Sequence, residues 1–292
     1  MEVLKTFFAA DGTKLGYFGP KNPKADASSI LLLHGMASNA TRWSEFVANT
    51  HLHETGNLYR MDLRGRQHSL YLGSYTRRDW LQDIKAFMQH ENISRLLFIG
   101  HSMGAQIAQD FACNFPAQCR GIILIDPVFP SNLHGQLKLV QRFKWLAWSL
   151  LQFALLFNRL GLHRRDYPHR DLHQLDKDTR AFLAANPQST ISDLYMSPTA
   201  DLKHIPTSSY LQDLLSVVAP ICPQEDVSCP VRVLLSAGAS VSNYTENLSS
   251  IELFPDHKID IIQADHWLLT EQPDEARLAL EKRAYEIINT TL

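Results

Sequence analysis

The stretch from Leu96 to Phe115 constrains this chain more than any other. A continuous apolar run, Leu96-Leu97-Phe98-Ile99, meets Gly100-His101-Ser102-Met103-Gly104, and Ala105 to Phe115 continues with helical character. A strand that turns straight into a helix forces the corner residue into strained backbone, so small residues are needed on both sides. Gly100 and Gly104 fill those places. The corner points the Ser102 hydroxyl away from the sheet, and the helix N-terminus offers free backbone N–H groups to an anion. Such a corner suits a nucleophilic serine.

The same buried-strand pattern recurs along the chain. Ile30–Leu33 ends at His34-Gly35, Leu58–Met61 at Asp62, Ile122–Ile125 at Asp126 and Val231–Leu235 at Ser236, and Ile259–Ile262 precedes the last helix. Short apolar runs of this kind are strands covered on both faces, and their alternation with helices predicts right-handed crossovers and a mostly parallel, doubly wound α/β sheet. Helices are expected over Thr76–His90, where Trp80, Ile84, Phe87 and Met88 share a face, and over Pro273–Ile288, which opens on proline with acids beside it. Two β-rich runs around Asp11-Gly12 predict an opening hairpin.

The rhythm stops between Asp126 and Val231, where Leu, Trp, Phe, His and Arg recur with helical spacing. We read residues 1–127 as the first part of a core, 128–228 as an inserted helical cap over the sheet's carboxyl edge, and 229–292 as the rest of the core. Within the insertion, Trp145, Leu146, Trp148, Leu151, Leu155 and Leu156 make a helix apolar nearly all round. Such a helix calls for burial on more than one side and could roof a site. Nearby Lys138, Arg142, Lys144, Arg159, Arg164 and Arg165 make the segment basic. That is compatible with peripheral contact with lipid headgroups, the alternative being a packed helix with solvated charges.

Composition excludes several classes. With 292 residues, 45% of them hydrophobic, the chain can bury a large core, and its formal charge of -2 provides no overall field for a nucleic acid. Trp145–Phe157 is too short and interrupted for the ~20 residues of a transmembrane span. Nothing at the N-terminus reads as a signal peptide, so a cytoplasmic protein is expected. Cys113, Cys119, Cys222 and Cys229 lie too far apart for paired-cysteine chemistry and without histidines at metal-ligand spacing, which predicts reduced thiols and no metal site.

The strand–Gly-x-Ser-x-Gly–helix unit resembles the α/β-hydrolase family, and the likeness runs over almost the whole chain outside the insertion. His34-Gly35-Met36 matches the family's HG motif, with Trp43 where many members carry tryptophan. The resemblance implies that the backbone N–H groups of Met36 and Met103 form an oxyanion hole. Asp62-Leu63-Arg64-Gly65-Arg66-Gln67-His68-Ser69 is similar to the family's D-x-R-G-x-G-x-S loop, Gln67 replacing the second glycine, and we read it as structural. Asp265-His266-Trp267, with Glu271 and Pro273 beyond, matches the context of the family's catalytic histidine, making His266 the expected base for Ser102.

The acid is less plain. The family's commoner position follows Val231–Leu235, yet here the chain reads Ser236-Ala237-Gly238-Ala239-Ser240, with Ser240 at that position and no carboxylate before Glu246. Some members carry the acid one strand earlier, where this chain has Asp126, and the order Ser, Asp, His survives the relocation. We expect Asp126, with Glu246, Asp265 or a polar network replacing the acid as the alternatives. The whole implies an esterase- or lipase-like serine hydrolase acting on a small or lipid-like ester with an apolar acyl or aromatic part, needing no cofactor. A non-catalytic binding protein and an acyltransferase are the rivals. Serine at the corner argues against dehalogenase and epoxide hydrolase chemistry, whereas thioesters, lactones and C–C bonded diketones stay open.

Overall fold

The fold was determined as a computed structural model that describes residues 2–186, 188–195, 197–238 and 244–290. Strands β1 (Glu2–Phe8) and β2 (Lys14–Pro20) form the expected antiparallel hairpin, Phe8 facing Lys14. Gly12 turns it at φ 82°, left-handed backbone that glycine adopts without steric cost. There follow β3 (Ser28–Leu33), α1 (Ser44–Asn49), α2 (Leu52–Thr55), β4 (Gly56–Met61), α3 (Arg77–His90), β5 (Leu96–His101), α4 (Met103–Asn114) and β6 (Cys119–Ile125). After a helical stretch come β7 (Val231–Ser236), and the last strand, β8 (His257–Ile262).

These strands form one eight-stranded sheet in the order β1-β2-β4-β3-β5-β6-β7-β8. The strands from β4 to β8 in that order pair in parallel, and β2 alone meets β4 antiparallel. Because successive residues alternate across a strand, each apolar run feeds two cores. Leu31, Leu33, Phe98, Leu124 and Val233 pack on one side with Trp80, Ile84 and Phe87 of α3. Ile30, Leu32, Leu97, Ile99, Ile123 and Ile125 pack on the other with Trp43 and with Leu280, Ala284 and Ile287 near the C-terminus. Burying each such side chain contributes about 1.5–3 kcal/mol, which explains why these runs carry almost no polar residue. α3 begins with a capping box in which Thr76 N donates to Asp79 Oδ2 at 2.7 Å, satisfying N–H groups the helix leaves open.

Between β6 and β7 lie α5 (Gly135–Arg142), α6 (Lys144–Arg159), α7 (Leu172–Ala185), α8 (Ile191–Tyr195), α9 (Pro198–Asp201) and α10 (Thr207–Val217). After β7 come α11 (Tyr244–Ile251) and, beyond β8, α12 (Leu268–Glu271) and α13 (Pro273–Thr290). α6 departs from expectation. Only Leu151 and Leu155 are buried, while Trp145, Leu146, Trp148 and Leu156 are exposed. The helix rests on α10 by one face, and no residue of it lines the large cavity. Hydrophobicity all round a helix requires apolar surroundings, but the fold of this chain supplies them on one side.

The cysteines also differ from expectation. Cys113, near the end of α4, and Cys222, beyond α10, form a disulfide across a sequence separation of 109, so these two are not reduced thiols. Spacing along the chain hid the pair because the return of the β6–β7 segment lies against α4: Cys222 N donates to Asp110 Oδ1 at 2.7 Å and Gln109 Nε2 to Cys222 O at 2.6 Å. Cys119 and Cys229 are free, buried and 3.6 Å apart at sulfur. Disulfides persist mainly in oxidising compartments, so this bond weighs against the cytoplasmic expectation. Among the described residues, no helix is long and apolar enough to cross a membrane.

Candidate active site

Ser102 sits where β5 turns into α4, with φ 54° and ψ -112°. That strained conformation is held from both sides. A Cβ on Gly100 would lie 2.4 Å from Gly104 O, and one on Gly104 would lie 2.3 Å from Leu33 O. Ser102 N donates to Ile125 O at 3.0 Å, locking the corner to β6. Ala37, Asn92, Ser102 and Asp126 are the positive-φ residues other than glycine among the described residues, and all but Asn92 belong to this site. Strain concentrated in this way marks a place where packing over-determines the backbone.

The ends of neighbouring strands bring the other expected groups together. His266 Nδ1 lies 2.5 Å from Asp126 Oδ2. A carboxylate only accepts, so Nδ1 carries the proton and the Nε2 lone pair is left for a hydroxyl donor. Asp126 Oδ1 accepts from Ser236 N at 3.0 Å and from Ser236 Oγ at 2.7 Å. Thus the strand whose end lacks a carboxylate contributes donors that orient the carboxylate of β6. Glu246 instead lies 3.3 Å from His134 Nε2, and Ser240 falls outside the described residues. Asp126, Ser102 and His266 are between 5% and 8% exposed, a depth that keeps water from competing for these bonds.

The His266 turn is itself held by groups whose role in the sequence was not apparent. Glu271 accepts from Asp265 N at 2.9 Å and Trp267 N at 3.1 Å, so one carboxylate clamps both flanks of His266. Burial raises the Glu271 pKa, with the two backbone donors opposing that shift. His101, the variable residue before Ser102, donates from Nε2 to His266 O at 2.9 Å. Burial, reinforced by the neighbouring His266, lowers the His101 pKa to about 3, so it acts as a neutral strut. No regular spacing links residues 101, 236, 266 and 271; only the sheet does.

Met103 is the first residue of α4, where an N–H has no intrahelical acceptor, and Met36 lines the cavity beside Ser102. The turn bearing Met36 is fixed through His34, whose Nδ1 donates to Gly35 O at 2.9 Å and whose Nε2 accepts from Leu63 N at 3.1 Å. Asp62 steadies the same region by accepting from Ala40 N at 2.7 Å. Arg64 bridges Asp11 and Asp83, and buried Arg66 pairs with Asp213 of α10. Gln67, in place of a glycine, donates to Arg170 O at 3.0 Å, tying this loop to the β6–β7 segment.

A cavity of 910 Å³ opens over Ser102 and His266. Its walls include Val128, Leu137, Val140, Leu172, Leu214 and Val217, together with Trp267 and Tyr195. The charged groups in the wall are already matched, Arg42 with Asp176 and Arg170 with Asp201. The volume stands at the upper end of the ~300–1,000 Å³ common for small-molecule sites, and the lining favours an apolar ligand.

Comparison with known proteins agrees with this architecture. A family model described as the alpha/beta hydrolase family matches residues 30–277. A hydrolase from Pseudomonas aeruginosa PA01 superposes with a TM-score of 0.69 at 16% identity, covering 96% of this chain and 97% of that one. A thermophilic esterase from Thermogutta terrifontis gives 0.66 at 19% identity, covering 98% and 99%. Among curated sequences, ethanol acetyltransferase 1 of Wickerhamomyces ciferrii is 22% identical over 87% of this chain and 68% of its own length.

Proposed function

Because the chain belongs to the alpha/beta hydrolase family, we propose that it is a serine hydrolase that cleaves carboxylic esters or thioesters through an acyl-enzyme. Ser102 Oγ attacks the acyl carbon while its proton passes to His266 Nε2. Asp126 keeps the imidazole in that tautomer and stabilises the imidazolium that forms. The N–H groups of Met36 and Met103 hold the oxyanion, interactions that gain strength only as charge develops. The tetrahedral adduct collapses, the leaving group takes the proton from His266, and water repeats the sequence on the acyl-enzyme. In this reading the β6–β7 segment is a cap, and its apolar lining selects the acyl or aromatic part of the substrate.

The observation that carries this reading is the hydrogen bond of His266 Nδ1 to Asp126 Oδ2, beside a strained Ser102 facing the same cavity. Acyl transfer to an alcohol is the second reading, favoured by likeness to the acetyltransferase over most of the chain. The test is turnover of p-nitrophenyl esters of rising acyl length, with and without added ethanol, alongside labelling by a fluorophosphonate. Wild type should turn over and label, and Ser102→Ala should do neither. Esters formed faster than acids would favour the transferase, whereas a folded wild type that neither labels nor turns over would leave a binding protein.

A further inference from the structure

Helix α6 leaves an unusual amount uncovered. Its inner face, centred on Leu151 and Leu155, packs on α10, while Trp145, Trp148, Phe153 and Phe157 stand 63%, 57%, 60% and 49% exposed, with Phe153 and Phe157 on the side away from α10. Leu160 and Leu162 carry the same surface past the end of the helix. An apolar surface of this extent on a soluble fold marks a contact with something else.

Charge indicates what that is. Between Pro127 and Arg165 the sequence has no Asp or Glu, although the chain as a whole is slightly acidic. Lys138, Arg142, Lys144, Arg159, Arg164 and Arg165 are all exposed, and none forms an ion pair among the described residues. A second copy of the chain, related by a two-fold axis, would bring one basic rim against another. An anionic phospholipid surface complements both features, accepting aromatic side chains at headgroup depth and basic ones at its phosphates.

We propose that this face of the cap docks on membranes containing anionic phospholipid, α6 lying in the interface plane. α5 would then be held at the bilayer, with Lys138 and Leu139 on its outer side and Leu137 and Val140 lining the cavity on its inner side. An apolar substrate drawn from the bilayer would meet α5 before it met water.

The test is co-sedimentation of the full chain with vesicles of phosphatidylcholine, alone or with about 30% phosphatidylglycerol, at low and high salt. Binding to the anionic vesicles should be about tenfold tighter or more, should weaken with salt and should shift tryptophan emission to the blue. A Trp145→Ser, Phe153→Ser double variant should lose vesicle binding yet hydrolyse dissolved p-nitrophenyl butyrate like wild type. Lys144→Glu with Arg159→Glu should remove the anionic preference. Ser102→Ala should bind like wild type, which separates docking from the proposed chemistry. Folded wild type that ignores anionic vesicles overturns the proposal, as does a concentration-dependent dimer dissolved by the Trp145, Phe153 substitutions without any vesicle binding.

Discussion

Replacing Asp126 by asparagine exchanges one oxygen for an NH₂ group, and the structure dictates which way the amide must face. Ser236 N is a fixed donor aimed at Oδ1 from 3.0 Å. The Ser236 hydroxyl can turn to Gly238 O, 3.2 Å away, but the backbone N–H cannot turn. The asparagine carbonyl therefore faces Ser236, and its NH₂ faces His266 Nδ1. That nitrogen must then accept, so the ring proton moves to Nε2, where the lone pair is needed for the Ser102 proton. A wrong tautomer with intact geometry costs about 10⁴ in kcat, equivalent to about 5.5 kcal/mol of transition-state stabilisation. KM should change little, because neither Asp126 nor Ser236 is among the residues that line the cavity. Steady-state kinetics and the rate of fluorophosphonate labelling should fall together, with circular dichroism and Tm confirming a folded variant. A folded Asp126→Asn enzyme within tenfold of wild type would refute the assignment of Asp126 and the orientation argument behind it.

Other perturbations probe the supports of the site. Glu271→Ala removes the acceptor from Asp265 N and Trp267 N, and kcat on p-nitrophenyl esters should fall by about 10–100-fold, with Glu271→Gln in between because it keeps one acceptor oxygen. Reducing the Cys113–Cys222 disulfide releases a separation of 109 residues, which in a chain-entropy account is worth about 4–5 kcal/mol. Dithiothreitol and the Cys113→Ala, Cys222→Ala variant should each lower Tm by about 5–10 °C, and no change would mean that the bond does not constrain the unfolded chain. Burial lowers the His34 pKa to about 4 and that of His101 to about 3, against ~6.5 when unfolded. Below pH ~6.5 the unfolded chain takes up protons that the folded one refuses, so their contribution is intact above that pH and declines as pH falls toward the folded values, by about 1.4 kcal/mol per pH unit for each histidine. Urea midpoints between pH ~4.5 and ~7 should show a slope that His101→Gln reduces by about one proton; an unchanged slope would mean that His101 is not held neutral.

The strands were readable from sequence because residues such as Ile30–Leu33 and Ile122–Ile125 are covered on both faces, and burial of that kind leaves no place for polar residues. Ser102 was readable for a related reason: the contacts a Cβ would make at Gly100 and Gly104 leave little else possible beside it. Asp126 could be named a candidate from its place at a strand end, but the parallel neighbour that supplies Ser236 depends on sheet order, which no local pattern encodes. The same holds for Glu271, whose acceptor role depends on how tightly the turn after β8 closes. In the β6–β7 segment, periodicity indicated helices without saying which of them would meet the cavity. Residues of α5, α7, α8, α9 and α10 meet it, and α6 is left outside.

The disulfide has a mechanical consequence for the chain between β6 and β7. That segment departs from the core at Asp126, itself bonded to His266, and returns at Cys222, covalently fastened to the helix that begins after Ser102. Arg77 adds a brace at the return, donating to Pro220 O at 2.9 Å and to Asp110 Oδ2 at 3.0 Å. The segment is therefore attached as a handle is, at both ends, rather than as a flap on a single hinge. Held at both ends, the segment cannot swing away as one rigid flap, and one mounting, Asp126, belongs to the candidate site while the other is fastened near the far end of the helix that starts beside Ser102.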